Sequence, residues 1–394
     1  MTITSKIEKN LRSGILIVLT LLSAAWGAIH QWVQSVRTAG VDALRPFGAV
    51  ESFWSLLTNG AYLKRVTASS LVLLVGTLLL TLIFRRAFCG QICPLGFLQE
   101  LFGKLGRKLF GKRRPQLWGW VDRLARNLKY LVLVGVAILS WVLGELIVRP
   151  YDPWASWMHL TSPELFAEMG WGFAILILGL LGSLFEERSF CRYACPLGAL
   201  LGGVSKLGLV RVARNHETCI HCSRCTKFCP VNIPVEHLNP VTTAECLSCG
   251  LCVSACPVPT TLNFALPSKN MPKVPGWVVS VGSVVLLTVV IGLGILSRHF
   301  SFLQQTTEER VLELAQQGAG FDSSLIKGRD HLETVSRISG ISLDVLVERL
   351  GVSPQDVQLP IKELGAKYPS VTPESVRELV DALLASDGTS QPKR

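Results

Sequence analysis

Charge is scarce in this sequence. Of its 394 residues only 17% are Asp, Glu, Lys or Arg, and the 28 acids fall well short of the 39 Lys and Arg. The scarcity is uneven. Residues 14–36, 66–84, 128–148, 171–185 and 277–296 hold between them only Lys129 and Glu145. A hydrocarbon core of ~30 Å takes about 20 helical residues to cross, so each stretch reads as a membrane span, the fourth being the shortest. The first stretch also lacks a small-residue cleavage site. It runs on through Trp26 and His30, which excludes a signal peptide and leaves a retained span.

Cations are scarce in one loop. Residues 149–170 contain one cation, Arg149, against three acids. The loop after the second span instead carries Arg85, Arg86, Lys104, Arg107, Lys108, Lys112, Arg113, Arg114, Arg123 and Arg126. Short loops rich in Lys and Arg stay cytoplasmic, so the N-terminus, with Lys6, Lys9 and Arg12, is expected inside. Five crossings then put the tail from about Ser297 outside. The formal charge of +11 gathers at the expected membrane surface, where anionic lipid attracts it, and calls for no nucleic acid.

No cysteine is spare. All twelve fall into four motifs. Cys219, Cys222, Cys225 and Cys229-Pro230, then Cys246, Cys249, Cys252 and Cys256-Pro257, repeat the C-x2-C-x2-C-x3-C-P spacing of a two-cluster ferredoxin, in which the fourth cysteine serves the other cluster. One [4Fe-4S] cluster is therefore expected on Cys219, Cys222, Cys225 and Cys256, and a second on Cys246, Cys249, Cys252 and Cys229. Disulfides would need an oxidising compartment, and zinc favours separated CxxC pairs. His221, inside the first run, reads as a solvent-facing neighbour.

The other four cysteines lie in Phe88-Cys89-Gly90-Gln91-Ile92-Cys93-Pro94-Leu95-Gly96 and Phe190-Cys191-Arg192-Tyr193-Ala194-Cys195-Pro196-Leu197-Gly198. Proline unsettles helical geometry in the residue before it and suits the first turn of a helix. Cys93 and Cys195 are thus expected to open new helices, whose positive ends would lower the thiol pKa. Residues 95–110 and 197–212 then alternate apolar and basic groups as interfacial helices do. Arg45-Pro46-Phe47 and Arg149-Pro150-Tyr151 stand upstream at nearly equal offsets, so loop, span, cysteine pair and helix occur twice in the same orientation. Packed about an axis along the membrane normal, the repeats would gather all four cysteines beside the ferredoxin insert. Such a group has three uses: an additional iron–sulfur cluster, a metal ion, or a redox-active dithiol set. Buried cysteines at a helix break are the plain alternative. Arg85, Arg86, Arg188 and Arg192 would steady thiolates in each case.

Toward the opposite face, Glu145 is an acid near the outer end of a span, a costly place that marks a candidate proton site. His30, Arg45, Glu51, Arg149, Asp152 and His159 stand near the same level with Trp54, Trp154 and Trp157. Together they form a candidate quinone or proton site, or an aromatic belt with interfacial anchors. From about Thr306 the pattern turns soluble and helical, with helix starts marked at Ser353-Pro354 and Thr372-Pro373 and no cysteine.

The paired Phe-Cys-x3-Cys-Pro-Leu-Gly segments followed by two ferredoxin runs resemble the polyferredoxin-like membrane proteins of the NapH and NosR type, over roughly residues 10–300. The resemblance implies an electron-transfer subunit akin to a quinol dehydrogenase. It implies a multi-pass protein of the bacterial inner membrane, serving anaerobic respiration between the quinone pool and a protein redox partner. Several relatives are expected to carry a cysteine where this chain has Arg45, so that cysteine's role does not transfer. An accessory protein that reduces a metal ion or disulfide while another respiratory enzyme is assembled is the alternative from a different class. The expected architecture is mostly α. It comprises a four-span domain at 1–214, a small α+β dicluster ferredoxin insert at 215–265, a fifth span within 270–300 and a helical extracytoplasmic module at 301–394.

Overall fold

The computed structural model describes residues 3–32, 45–59, 66–111, 119–144, 146–162, 165–267, 272–302, 307–316, 321–328 and 330–386. These fold as two compact units, Met1–Phe302 and Leu303–Arg394.

The first unit opens with α1 (Ile3–Trp32) and α2 (Pro46–Asn59), followed by α3 (Ala68–Phe84), α4 (Pro94–Phe110) and α5 (Gly119–Leu143). The short α6 (Pro153–Met158) leads to α7 (Leu165–Phe185), α8 (Ser189–Tyr193) and α9 (Pro196–Val204). A three-stranded antiparallel sheet, β1 (Arg211–Arg214), β2 (Leu262–Ala265) and β3 (Lys273–Val274), frames the cysteine-rich insert with its one-turn helices α10 (Arg224–Lys227) and α11 (Leu251–Ala255). The unit closes with α12 (Gly276–Leu296).

Among the described residues α1, α5 and α12 are long and apolar enough to cross a membrane. They expose apolar side chains along their length, such as Leu21, Leu131 and Val289. The other two expected spans are shorter apolar helices, Ala68–Phe84 and Met169–Phe185. The 17 residues of α3 rise only ~26 Å at ~1.5 Å each. α3 ends where Arg85 takes a positive φ of 58°, and α7 is broken at Met169. The outer end of the first stretch, 33–36, lies outside the described residues, as does Glu145.

The two repeats exchange partners. α4, which follows α3, packs on α7, and α9, which follows α7, packs on α3. Gly106 permits the first contact, because a Cβ there would collide with the Leu184 carbonyl. The second interfacial helix stops at Val204, short of the expected 212. Residues 211–214 are drawn instead into β1, in register with 262–265, because strand pairing satisfies their backbone where a helix end would not. One apolar core joins the membrane end to the insert: Phe84, Ile92 and Val279 pack with Leu201, Val212, Leu247 and Phe264.

The second unit contains α13 (Thr307–Gln316), α14 (Leu332–Ser339), α15 (Leu343–Leu350), α16 (Ile361–Lys367) and α17 (Pro373–Ser386). Leu332, Val335 and Leu346 of one hairpin and Ile361, Leu364 and Val376 of the next are fully buried in one core, and His331 bridges Pro360. The helix start at Thr372 forms, with its hydroxyl accepting from the Ser375 amide at 3.1 Å. The start at Ser353 yields a single 3₁₀ turn, Pro354–Asp356. Pro360 restricts Leu359 before a second turn can be added.

Candidate electron-transfer site

The two cysteine runs of the insert wind around two cavities. Cys219, Cys222, Cys225 and Cys256 line one, together with Arg214 and Glu236. Cys229, Cys246, Cys249 and Cys252 line the other, walled by Val212, Val231, Ile233 and Leu247. Each ring thus takes three cysteines from one run and one from its twin. Left-handed residues at matching places bend both loops: His221 and Ser248 before the second cysteine, Ser223 and Gly250 after it. His221 therefore has a backbone duty. All twelve cysteines are free.

The donor set fits a cationic cluster. Burial, with the charge of Cys249 next, pushes the Cys229 thiol up to about 12, so thiolates there require a positive occupant. Among the described residues no three His, Cys, Asp or Glu side chains converge as a single metal ion requires. Rings of thiols around a cavity suit a group several ångströms across. The first cavity has one exposed thiol, Cys222, and Arg214 Nη1 lies 3.6 Å from Cys219 Sγ. The second is deeper, with Cys246 buried.

Cys93 and Cys195 are the N-caps of α4 and α9, with Pro94 and Pro196 in the first turn. Their partners lie one turn upstream, Cys89 in a five-residue π-helical segment, Phe88–Ile92, and Cys191 in α8. Because the repeats exchange helices, the four thiols come within electrostatic reach of one another. The helix starts alone would make these thiols acidic, and the structure reverses that expectation. Burial, then the charges of Cys191 and Cys89, pushes the Cys93 thiol up to about 12. Cys195 rises well above its ordinary value for the same causes, although the Gly198 amide donates to its sulfur at 3.3 Å.

The insert is seated directly on this group. A Cβ at Gly90 would strike the Leu247 carbonyl and stand 3.2 Å from Cys249 Cα. Gln91 Nε2 donates to Ser248 O at 2.9 Å, Arg85 Nη2 to Thr243 O at 2.6 Å and Arg86 Nη1 to Ala244 O at 3.0 Å. Two carboxylates clamp the junction, one of them, Glu100, fully buried. Glu100 receives Arg12 at 2.6 Å and Arg188 at 3.0 Å, and Glu245 receives Lys129 at 2.5 Å. Of the four arginines singled out above, Arg192 is taken up by Asp122 at 2.6 Å and Glu186 at 2.7 Å. Arg86 and Arg188 remain against the cysteines.

Sequence reasoning missed Arg12, Glu100, Glu245 and Gln99. Gln99 Nε2 donates to Cys191 Sγ at 3.3 Å, while its Oε1 accepts from the Phe190 amide at 3.1 Å. Its counterpart in the second repeat is Leu201, so repeat symmetry gave no signal for it.

At the far end the rings of His30 and His159 meet edge to face at 6.5 Å, and His159 Nδ1 lies 2.8 Å from Ala155 O. Arg45 is buried between Asp152, at 2.8 Å, and Glu51, at 3.7 Å. Glu51 also accepts from Ser140 at 3.1 Å and from the Val148 amide at 3.2 Å. Burial raises the Glu51 pKa, against the pull of Arg45. Trp157 Nε1 donates to Ser23 at 3.1 Å, and Trp54 stacks at a tilt on Trp141.

A helical membrane frame carrying ferredoxin-type cysteine cavities defines an iron–sulfur electron-transfer protein. The family described as "4Fe-4S binding domain" matches twice, at residues 66–113 and 169–215, and the "4Fe-4S dicluster domain" matches 211–257. The chain is 37% identical to YccM of Escherichia coli, a candidate electron transport protein, over 65% of this chain and 73% of that one. It is 28% identical to the ferredoxin-type protein NapH of Haemophilus influenzae, over 40% of this chain and 53% of the relative. Against the regulatory protein NosR of Stutzerimonas stutzeri it is 30% identical, over 59% of this chain and 30% of NosR. No solved structure matches. The chain belongs to the NapH/NosR-type family of polyferredoxin-like membrane proteins.

Proposed function

We propose that this chain conducts electrons at a bacterial inner membrane between the quinone pool and a protein redox partner. The observation that carries the reading is the seat of the 243–249 loop on the four-cysteine group, backbone against backbone at Gly90. Cys219, Cys222, Cys225 and Cys256 are assigned one [4Fe-4S] cluster, and Cys246, Cys249, Cys252 and Cys229 a second. Cys89, Cys93, Cys191 and Cys195 are assigned a third centre. Each matched half contributes only two cysteines, and four thiolates are what a cubane takes. The clusters supply one-electron transfer; the chain's own residues set their order. That order runs from the cavity with exposed Cys222, through the deeper cavity of Cys246, to the junction.

In this reading α3 and α7 complete five crossings, since a few ångströms of mismatch cost only fractions of a kcal/mol per Å. The N-terminus and the insert, from Arg211 where its sheet begins, are cytoplasmic. The module from Leu303 is extracytoplasmic. A quinone at His30 would stand 18 residues along α1 from Arg12, whose guanidinium reaches the Gly90 carbonyl beside the thiols, or ~27 Å at ~1.5 Å each. That is too far for a direct hop, so the histidines are assigned to proton exchange or interfacial packing at the outer face.

The test is electron exchange in liposomes. Protein mixed anaerobically with a quinol, or pre-reduced and mixed with a quinone, is followed by freeze-quench EPR of the ferredoxin signals. Exchange in wild type and its loss in Cys89→Ser/Cys191→Ser, with the ferredoxin signals intact, is the expected result. Exchange at an unchanged rate in the variant would remove the junction from the path.

A further inference from the structure

Arg86 stands three residues before Cys89, and Arg188 three before Cys191. Both are buried, at 1% and 0% exposure, and each lies against the other repeat. Arg188 Nη1 donates to Cys89 O at 2.5 Å and lies 2.7 Å from where a Cβ of Gly96 would be. Arg86 Nη2 lies 2.9 Å from the Cβ position of Gly198. Gly96 and Gly198 occupy the same place, three residues past the second cysteine, so in both repeats the guanidinium fills the space a side chain would need.

These guanidiniums are not neutralised outright. Glu100 divides its charge between Arg188 and Arg12, and Glu245, 3.7 Å from Arg86, is held more closely by Lys129. Nε and Nη2 of Arg86, and Nε of Arg188, are buried donors without a hydrogen-bond partner. Leaving such a donor unpaired is costly, so an acceptor is called for at this place. The groups in electrostatic reach of Arg86 are Cys89, Glu245, Cys195 and Cys191.

We propose that Arg86 and Arg188 are positioning residues of the four-cysteine centre, whose crossed guanidiniums offset the charge of its thiolates and hold its reduction potential up. The proposal rests on the reading that these cysteines carry a one-electron centre. Reduction adds one negative charge, and a nearby buried cation favours the more negative state, so removing the cation disfavours reduction.

The test is a redox titration of the full chain in detergent, following the EPR signal that Cys89→Ser/Cys191→Ser lacks. Arg86→Gln should lower the one-electron reduction equilibrium at least tenfold, about 59 mV, with iron content retained. Arg86→Lys keeps the charge and should shift it less than threefold. Gly198→Ala keeps the arginine but displaces its guanidinium, and should shift the midpoint in the same direction by less. An unmoved midpoint in fully loaded Arg86→Gln, or a lysine variant shifted as far as the glutamine one, would overturn the proposal. Should Arg86→Gln fail to assemble, Gly198→Ala decides: a fall supports the proposal and an unmoved midpoint rejects it. A wild type with eight irons and no such signal would instead remove the third centre itself, an outcome read from iron content before any titration.

Discussion

Replacing Gly90 by Ala adds one methyl group at the contact between the insert and the four-cysteine group. The new Cβ would collide with the Leu247 carbonyl and press on Cys249 Cα, whereas ordinary contact begins at 3.4 Å. Both obstacles are backbone, so no rotamer change relieves them. The 247–249 loop must retreat, on the order of 1 Å to restore normal separation, and the Gln91 to Ser248 bond stretches with it. Overpacking of this kind costs about 1–3 kcal/mol. Gly203→Ala is the control, because nothing lies within 4 Å of its Cβ position in α9. That change should be neutral or stabilise by up to ~1 kcal/mol through helix propensity. The assay is thermal unfolding of the purified protein together with the rate of electron exchange with quinone. Gly90→Ala should lower the midpoint and slow exchange while the iron content stays that of wild type. If it behaves like Gly203→Ala in both measurements, the loop is not seated as described and the order of centres loses its basis.

Glu100→Gln should cost about 3–5 kcal/mol, because it leaves Arg12 and Arg188, 3% and 0% exposed, without their shared carboxylate. Burial alone would raise the Glu100 pKa, but Arg12, then Arg188 and Lys104, hold it well below the usual carboxylate range. A depressed folded-state pKa gives stability that is full above the unfolded value of ~4.3 and fades as pH falls through the folded one. The gap between wild type and Glu100→Gln in a pH series of melts should therefore be constant from pH 5 to 8 and close only in strong acid; a gap closing near neutrality would contradict the pairing. Cys229→Ser should disturb the EPR signal of the centre bounded by Cys246, Cys249 and Cys252, and Cys256→Ser the other, by the exchange of fourth ligands. The reverse assignment would show that each run closes on itself. Leu346→Ala, at a fully buried position of the C-terminal unit, should destabilise that unit by about 2–5 kcal/mol and leave every metal-centre signal unchanged. Altered signals would tie the unit to the redox chain.

The legible parts of the site were those governed by short spacing. The cysteines ringing each cavity follow from C-x2-C-x2-C-x3-C, and Cys93 and Cys195 open helices because Pro94 and Pro196 follow them. The apolar helices were legible as apolar runs, but their ends were not: α3 stops at Arg85, whose side chain reaches Thr243, 158 residues away. Residues 197–212 carry a helical pattern throughout, yet 211–214 pair with a strand some fifty residues later, and pairing outweighs propensity there. The thiol pKa went the other way for a similar reason. A helix start is local and visible in sequence, whereas burial of Cys93 among three other thiols depends on the exchange of helices between repeats. Arg12 and Glu100 are 88 residues apart in helices with several charges each, and nothing in their spacing singles out that pair. Gln99 lacks a counterpart in the second repeat, so duplication pointed away from it.

On the proposed reading, the two repeats together build a third redox centre under the ferredoxin insert. Iron and acid-labile sulfide per chain, with EPR of the dithionite-reduced protein, test it most directly when wild type is compared with Cys89→Ser/Cys191→Ser. More than eight irons are expected in wild type, about twelve for three cubanes, falling to eight in the variant with loss of one EPR component. Eight irons in both proteins, with identical spectra, would contradict it and leave the four cysteines a dithiol or structural role.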